Sequence, residues 1–189
     1  MALDSHLLFL KKFIQNPKQI GSIVPSSPFL ANEMVRSVPW SEISALAELG
    51  SGTGSITRFI QANATRSAKV FLFEKDERML SDLLEKYPAF LSYPNARELT
   101  EIIRMNGVHH LDCVISGLPF FNFSEELRDK LMSQITEALR PGGYFIAFQY
   151  TLQMKKHLER LFDVERIRFV PMNVPPAFVY ICRKRARHE

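Results

Sequence analysis

The sequence predicts an α/β domain built on an open, largely parallel sheet, and three observations carry that expectation. Strand-like and helix-like segments alternate from residue 44 onward. The first strand-like run, Ala45-Leu46-Ala47-Glu48-Leu49, stops at a turn with glycines at 50, 52 and 54, and a helical pattern follows. The second run, Lys69-Val70-Phe71-Leu72-Phe73, ends on Glu74, 24 residues after Gly50. Strict alternation implies a parallel sheet covered by helices on both faces. Glycines permit positive φ and close approach of a ligand to the backbone. A helix start after such a turn offers unpaired N–H groups. An acid about 20 residues on suits ribose hydroxyls, at the carboxyl ends of the strands.

Taken in order, residues 3–14 read as an amphipathic helix. Leu3, Leu7, Leu10 and Ile14 share one face, widened by Phe9 and Phe13. Asn16-Pro17 ends it. Ser27 is a candidate cap for a second helix opened by Pro28 and running to about Val38. Then follow strand 44–49, helix 54–62, strand 69–74, helix 75–87, a short strand near 90–94 and a helix over about 97–106. Strand 111–116 precedes helix 124–139, capped by Ser124 and stopped by Pro141-Gly142-Gly143. Strand 143–150, a helix over 152–161 and strands near 164–170 and 177–183 complete the chain. The last two are joined through Pro171 to Pro176, too few residues for a helical crossover, so they should pair antiparallel. The expected organisation is an N-terminal helical segment, 1–38, and a main domain, 39–189.

The 189 residues suit one core, with 46% hydrophobic content. No uninterrupted run of 18 apolar residues exists, and Asp4 and His6 before the first apolar stretch do not resemble a signal peptide. Cys113 and Cys182 lie in apolar runs and read as buried free thiols in a cytoplasmic protein, not as a disulfide or a metal site. The net charge is +4, with Lys11, Lys12 and Lys18 near the start and Arg183-Lys184-Arg185-Ala186-Arg187 near the end. Such clusters either solubilise or favour anionic surfaces.

The glycine turn distinguishes between cofactors. A phosphate-binding P-loop needs Lys after its last glycine, and Ser55, Ile56 and Thr57 stand there instead. The dinucleotide fingerprint spaces its third glycine one residue later than Gly54. Glu48-Leu49-Gly50-Ser51-Gly52-Thr53-Gly54 resembles the first motif of class I S-adenosylmethionine-dependent methyltransferases. The resemblance implies a Rossmann-like, seven-stranded sheet in the order 3-2-1-4-5-7-6. It also implies S-adenosyl-L-methionine as cofactor, held by Glu48, Gly50, Ser51, Gly52, Thr53, Glu74, Lys75, Asn95, Ala96 and Ser116. Glu48 would organise the methionine end and Glu74 the ribose. Asn95-Ala96 stands where the family places Asp-Ala against the adenine.

The acceptor is read from other segments. Adenine and exocyclic-amine methyltransferases carry Asn-Pro-Pro-Tyr or Asp-Pro-Pro-Tyr after the fourth strand. This chain has Ser116-Gly117-Leu118-Pro119-Phe120-Phe121, so no side chain at 117 can accept from a target nitrogen. Ser116 to Pro119, the segment Asn16 to Ser27 and the hairpin Asn173-Val174-Pro175-Pro176-Ala177-Phe178-Val179-Tyr180 resemble bacterial phospholipid N-methyltransferases acting on phosphatidylethanolamine. The same segments recur in proteins similar to ribosomal RNA adenine dimethylases, which keeps a nucleic-acid acceptor as an alternative beside a small-molecule N- or O-methyltransferase. The lipid resemblance implies a peripheral membrane enzyme of phosphatidylcholine synthesis that approaches anionic membrane through its N-terminal helix and basic residues. Alternatively, that helix packs on the domain. No metal is expected. Backbone around Gly117, with Tyr150 and Tyr180, is the candidate catalytic set, and Phe120, Phe121, Tyr150 and Tyr180 could form a cage for a methylated ammonium or simply pack the core. Arg168 and Lys18 are candidate phosphate ligands. His109 and His110 read as surface residues.

Overall fold

Residues 26–186 are described in the computed structural model, and their seven strands form one sheet in the order β3-β2-β1-β4-β5-β7-β6. The strands are β1 Ala45–Leu49, β2 Lys69–Phe73, β3 Leu91–Tyr93, β4 Leu111–Ser116, β5 Leu139–Gln149, β6 Phe162–Val170 and β7 Ala177–Lys184. The first five are mutually parallel, and β7 runs antiparallel to both β5 and β6. The helices are α1 Pro28–Val35, α2 Thr57–Asn63, α3 Glu77–Lys86, α4 Leu99–Met105, α5 Glu125–Ala138 and α6 Lys155–Leu161. The amphipathic stretch 3–14, the segment Asn16 to Pro25, Lys11, Lys12, Lys18 and Arg187 lie outside the described residues.

The alternation of side chains along each strand divides the core in two. Ala45, Ala47 and Leu49 of β1 meet Leu99, Ile103, Met132 and Ile135 from α4 and α5, with Leu158 of α6 in the same cluster. Leu46 meets Leu30, Met34, Ile60 and Leu83 from α1, α2 and α3. Every residue of β1 is buried, as a central parallel strand covered on both faces requires. Ser27 caps α1 by accepting from the Leu30 N–H at 3.2 Å, with Pro28 behind it. Ser124 caps α5 in the same way.

Of the boundaries that differ from expectation, three have local reasons. α1 stops at Val35, before Pro39. α2 starts at Thr57 rather than 54, because Gly54 has φ +82°, outside a right-handed helix. β5 starts at Leu139, ahead of Pro141-Gly142-Gly143, and slips register against β4 between Leu111 and Cys113. Asp112 fixes that irregularity. Its Oδ1 pairs with Arg140 Nε at 2.6 Å, and its Oδ2 accepts from Ser44 and Ala45 N–H at 2.7 and 3.0 Å.

Part of the basic C-terminal cluster is used within the fold. Arg183 stacks over Tyr144, Lys184 Nζ donates to the Leu139 carbonyl at 2.6 Å, and Arg185 pairs with Asp163 at 2.9 Å. Residues 183–185 therefore do not form a free cationic surface. Cys113 and Cys182 are buried and unbridged, and burial pushes both thiols up.

Candidate active site

The carboxyl ends of β1, β2, β4 and β5 converge on the glycine turn. The N–H groups of Gly50 and Ser51 both donate to the Phe73 carbonyl, at 2.8 and 3.1 Å, so the turn hooks over the end of β2. Glu74 anchors it from the other side. Its Oε2 accepts from the Gly52 N–H at 2.7 Å and its Oε1 from the Asp76 N–H at 2.9 Å. A carboxylate has about four acceptor positions, so both oxygens keep capacity for ribose hydroxyls. Gly50 and Gly52 have φ of +73° and +54°. A Cβ on Gly50 would meet Leu118 Cδ2 at 2.8 Å, whereas one on Gly52 would meet nothing within 4 Å. Gly50 is thus required by the protein's own packing, and Gly52 faces space a ligand can enter.

Glu48 is fully buried beneath this turn. Its Oε2 accepts from the Thr57 hydroxyl at 2.7 Å. Its Oε1 and the buried Ser51 Oγ have no hydrogen-bond partner among the described residues. Burial pushes the carboxyl up to about 8, against the Thr57 and Ser51 hydroxyls, which lower it; nearby Glu74 raises it further. A buried carboxyl with an orphaned oxygen, beside an orphaned hydroxyl, suits a ligand that brings a cation with several N–H donors. The amino group of S-adenosylmethionine fits that description, so the acceptors present fit the cofactor. Among the described residues no group of three or more His, Cys, Asp or Glu could hold a metal ion.

The other expected cofactor residues are less committed. Asn95 caps a short 3-10 turn, Ala96–Glu98, by accepting from the Arg97 N–H at 3.1 Å. Ala96 packs partly buried against the core beyond β3. Lys75 and Thr53 are exposed, and Thr53 shares a hydrogen bond with Ser55. Ser116 is fully buried, and its Oγ accepts from the Leu118 N–H at 3.2 Å.

The catalytic expectations divide. Gly117 lies against the glycine turn: its N–H donates to the Leu49 carbonyl at 2.8 Å, and a Cβ there would stand 3.0 Å from the Gly50 carbonyl oxygen. Tyr150 follows β5 on the α1 face, edge-on to Phe148 at 5.5 Å. Burial pushes its phenol up to about 12, against the hydrogen bonding of the Asn173 side chain. Tyr180 stands on the opposite face, fully buried in the core with α4, α5 and α6, and donates to the Thr151 carbonyl at 3.2 Å. It has no surface to present to an acceptor, which corrects its expected catalytic place. The four-ring cage does not assemble either. Phe120 is buried against Phe123 and Phe145, Phe121 is exposed, and Tyr150 and Tyr180 lie on different faces. Arg168 pairs with Glu33 at 3.0 Å and is not a free phosphate ligand. His109 and His110 are exposed before the amino end of β4.

Three residues at the site were missed. Thr57 is a polar residue among the apolar positions Ile56, Phe59 and Ile60, and that contrast was its only signal. Gln149, buried at the end of an aromatic run, donates to the Leu118 carbonyl at 3.0 Å and so ties the β4 turn to β5. Asn173, buried in the β6–β7 hairpin, accepts from the Ser27 N–H at 3.0 Å and donates to the Pro175 carbonyl at 2.7 Å.

Comparison with known proteins agrees with this geometry. No protein-family model matches the chain. It is 34% identical to an ornithine lipid N-methyltransferase of Singulisphaera acidiphila, over 96% of this chain and 97% of that protein. It is 24% identical to the ribosomal RNA small subunit methyltransferase A of Thermotoga maritima, over 86% of this chain but only 62% of that protein. In three dimensions it resembles the N-methyltransferase NodS of Bradyrhizobium japonicum WM9, with a TM-score of 0.68 at 10% identity, covering 85% of this chain and 98% of that one. The likeness to the same protein in complex with S-adenosyl-l-homocysteine has a TM-score of 0.65.

Proposed function

The chain belongs to the class I S-adenosylmethionine-dependent methyltransferases, and on that footing we propose that its acceptor is the primary amine of a membrane lipid. The observation that carries this reading is the end-to-end likeness to an ornithine lipid N-methyltransferase. Ornithine lipids and phosphatidylethanolamine both present a primary amine on a headgroup close to the bilayer surface, and either is a substrate of the proposed class. The Ser116-Gly117-Leu118-Pro119 turn supports it, since it lacks the side-chain acceptor of the nucleic-acid enzymes.

The cofactor supplies an electrophilic methyl group on a sulfonium. Glu48 and Ser51 would hold its amino group, Glu74 its ribose hydroxyls, and Asn95-Ala96 would border the adenine. The chain's part in transfer is then to align the amine and exclude water. Carbonyls of Ser116 to Leu118 can accept from an acceptor N–H without any side chain at 117. Tyr150, protonated at neutral pH, can hydrogen-bond at the rim but does not act as a base. An ammonium brought next to a sulfonium has its pKa lowered by like charge and desolvation, so it releases its proton without a strong base. The acceptor approaches from a membrane, with the N-terminal segment and its lysines as the expected contact.

The experiment supplies labelled S-adenosylmethionine with ornithine lipid, phosphatidylethanolamine, ribosomal RNA and soluble amines in parallel. Label in either aminolipid fraction supports the reading and identifies the headgroup. Label only in RNA or only in soluble amines overturns it.

A further inference from the structure

Large apolar side chains exposed on this protein are not spread evenly. Of the nine among the described residues, six are Phe29, Phe121, Leu152, Phe169, Met172 and Val174. The sheet places all six at one end. Phe121 follows β4 and Leu152 follows β5, both at carboxyl ends. Val170 of β6 and Gln149 of β5 pair with Ala177 and Phe178, neighbours on β7, so the β6–β7 hairpin rises on the same rim. Met172 and Val174 form its tip, and Phe169 precedes it on the edge strand. Phe29 joins them because Asn173 binds the Ser27 N–H at the start of α1. Met105 and Leu161, by contrast, lie at the amino ends of β4 and β6. An apolar rim concentrated beside a functional mouth marks an interaction surface.

We propose that this rim, centred on the Phe169–Val174 hairpin and Phe29, docks the enzyme onto an anionic lipid bilayer with its cofactor site facing the membrane. The proposal rests on the aminolipid reading above and adds the surface and orientation through which the lipid is reached. Two observations choose the bilayer as occupant. The 25 residues before the described part join the fold at Ser26–Ser27, on this rim, and they carry Lys11, Lys12 and Lys18 on a sequence with amphipathic periodicity. Lys156 is exposed near the start of α6, four residues beyond Leu152, beside Lys155, which pairs with Glu159 at 3.7 Å. Apolar tips inserted into the interface and cations beside anionic headgroups are complementary to one membrane surface. Asn173 serves as the joint: it is buried while Met172 and Val174 on either side are exposed, so the hairpin presents both side chains on a fixed backbone.

The test uses full-length protein and vesicles of phosphatidylcholine with phosphatidylglycerol, which contain no primary amine. Docking is thereby measured apart from acceptor choice. Met172→Asp/Val174→Asp should weaken vesicle binding at least tenfold while leaving methylation of a detergent-dispersed aminolipid near wild type. Met105→Asp/Leu161→Asp, at the exposed apolar positions before the amino ends of β4 and β6, should bind like wild type. Equal binding by both double variants overturns the proposal. A second readout covers the case in which the hairpin variant fails to fold. Both native cysteines are buried, so Met172→Cys can be labelled selectively with a polarity-sensitive dye. Its emission should shift to the blue on adding vesicles, and unchanged emission overturns the proposal. So does a blue-shifted signal before vesicles are added, with no further change on addition, which would mean that residues 1–25 or a second copy of the chain covers the rim. Vesicle docking without label transfer to any lipid would instead defeat the aminolipid reading while sparing the surface.

Discussion

Replacing Glu48 by Gln tests the site where the physics is most constrained. The Glu48 carboxyl is held at about 8 instead of 4.5, chiefly by burial. Between those values the folded chain keeps a proton that the unfolded chain has lost. The stability linked to this group is therefore intact below about pH 4.5 and declines as pH rises, until the folded carboxyl also ionises near 8. An interval of about 3.5 pH units at about 1.4 kcal/mol each amounts to a loss on the order of 5 kcal/mol across the window. Gln preserves the shape, can still accept from the Thr57 hydroxyl, and does not titrate. Without cofactor, Glu48→Gln should match wild type near pH 5 and exceed it increasingly towards pH 8, read as the melting temperature against pH. Cofactor binding should show the reverse preference. A cationic amino group against Glu48 favours the ionised carboxylate, so wild-type affinity should rise by up to about tenfold per pH unit between 6 and 8. Calorimetry in buffers of different ionisation enthalpy should then detect release of a proton at pH 7, and Glu48→Gln should abolish both effects. Parallel melting curves for the two proteins, or cofactor binding by wild type with no proton released, would refute the reasoning.

Other substitutions separate packing from function. Gly50→Ala should cost about 2 kcal/mol or more, since it combines a positive φ with a contact 2.8 Å from Leu118, whereas Gly52→Ala should cost about 1 kcal/mol yet weaken cofactor binding more; thermal melts and cofactor titration distinguish them. Tyr180→Phe should lose about 1 kcal/mol with its bond to the Thr151 carbonyl and leave kcat unchanged, while Tyr150→Phe should lower methylation at near-normal stability; steady-state rates beside melts decide. Asn173→Ala should cost about 1–3 kcal/mol, because the half-buried Ser27 N–H and the buried Pro175 carbonyl each lose a partner, and it should speed amide exchange in the first turn of α1.

The parts of this molecule legible in the sequence are those governed by period and by glycine. β4 was readable to the residue, because Leu111-Asp112-Cys113-Val114-Ile115-Ser116 is bounded by exposed histidines and a glycine. The reversed last strand followed from a loop too short for a crossover. The positions of Glu48 and Glu74 beside the glycine turn were readable because one is next to last in β1 and the other directly follows β2. What escaped depends on contacts distant in sequence. The start of β5 ahead of Pro141 depends on Asp112, 28 residues away, gripping Arg140. The face occupied by Tyr180 depends on register: it pairs with Ala147, whose side chain points to the α4–α6 core, and that pairing decides between the cage and the core for a ring the sequence left open to both. Gln149 and Asn173 gave little sign because a buried amide is recognisable only once its carbonyl partners are placed.

Those partners bear on which acceptors the site can take. In nucleic-acid enzymes an Asn or Asp after the fourth strand accepts from the target nitrogen. Here a side chain at 117 would begin 3.0 Å from the Gly50 carbonyl, so an acceptor side chain could be restored only by moving the glycine turn that seats the cofactor. The aromatic residue three places on is Phe120, buried under Phe145 and Phe123 rather than standing over the mouth to stack on a base. Both elements that would grip a flipped base are thus diverted into packing, and Gln149 uses a donor to brace the Leu118 carbonyl. A flexible primary amine needs neither a stacking platform nor a carboxamide. It needs carbonyls, a dry approach and a means of reaching the mouth. A Gly117→Asn variant follows from this logic: it should lower cofactor affinity by displacing the turn, without gaining methylation of RNA. Gain of RNA methylation with unchanged cofactor affinity would show that glycine at 117 is a choice of substrate alone and not a demand of the loop beside it.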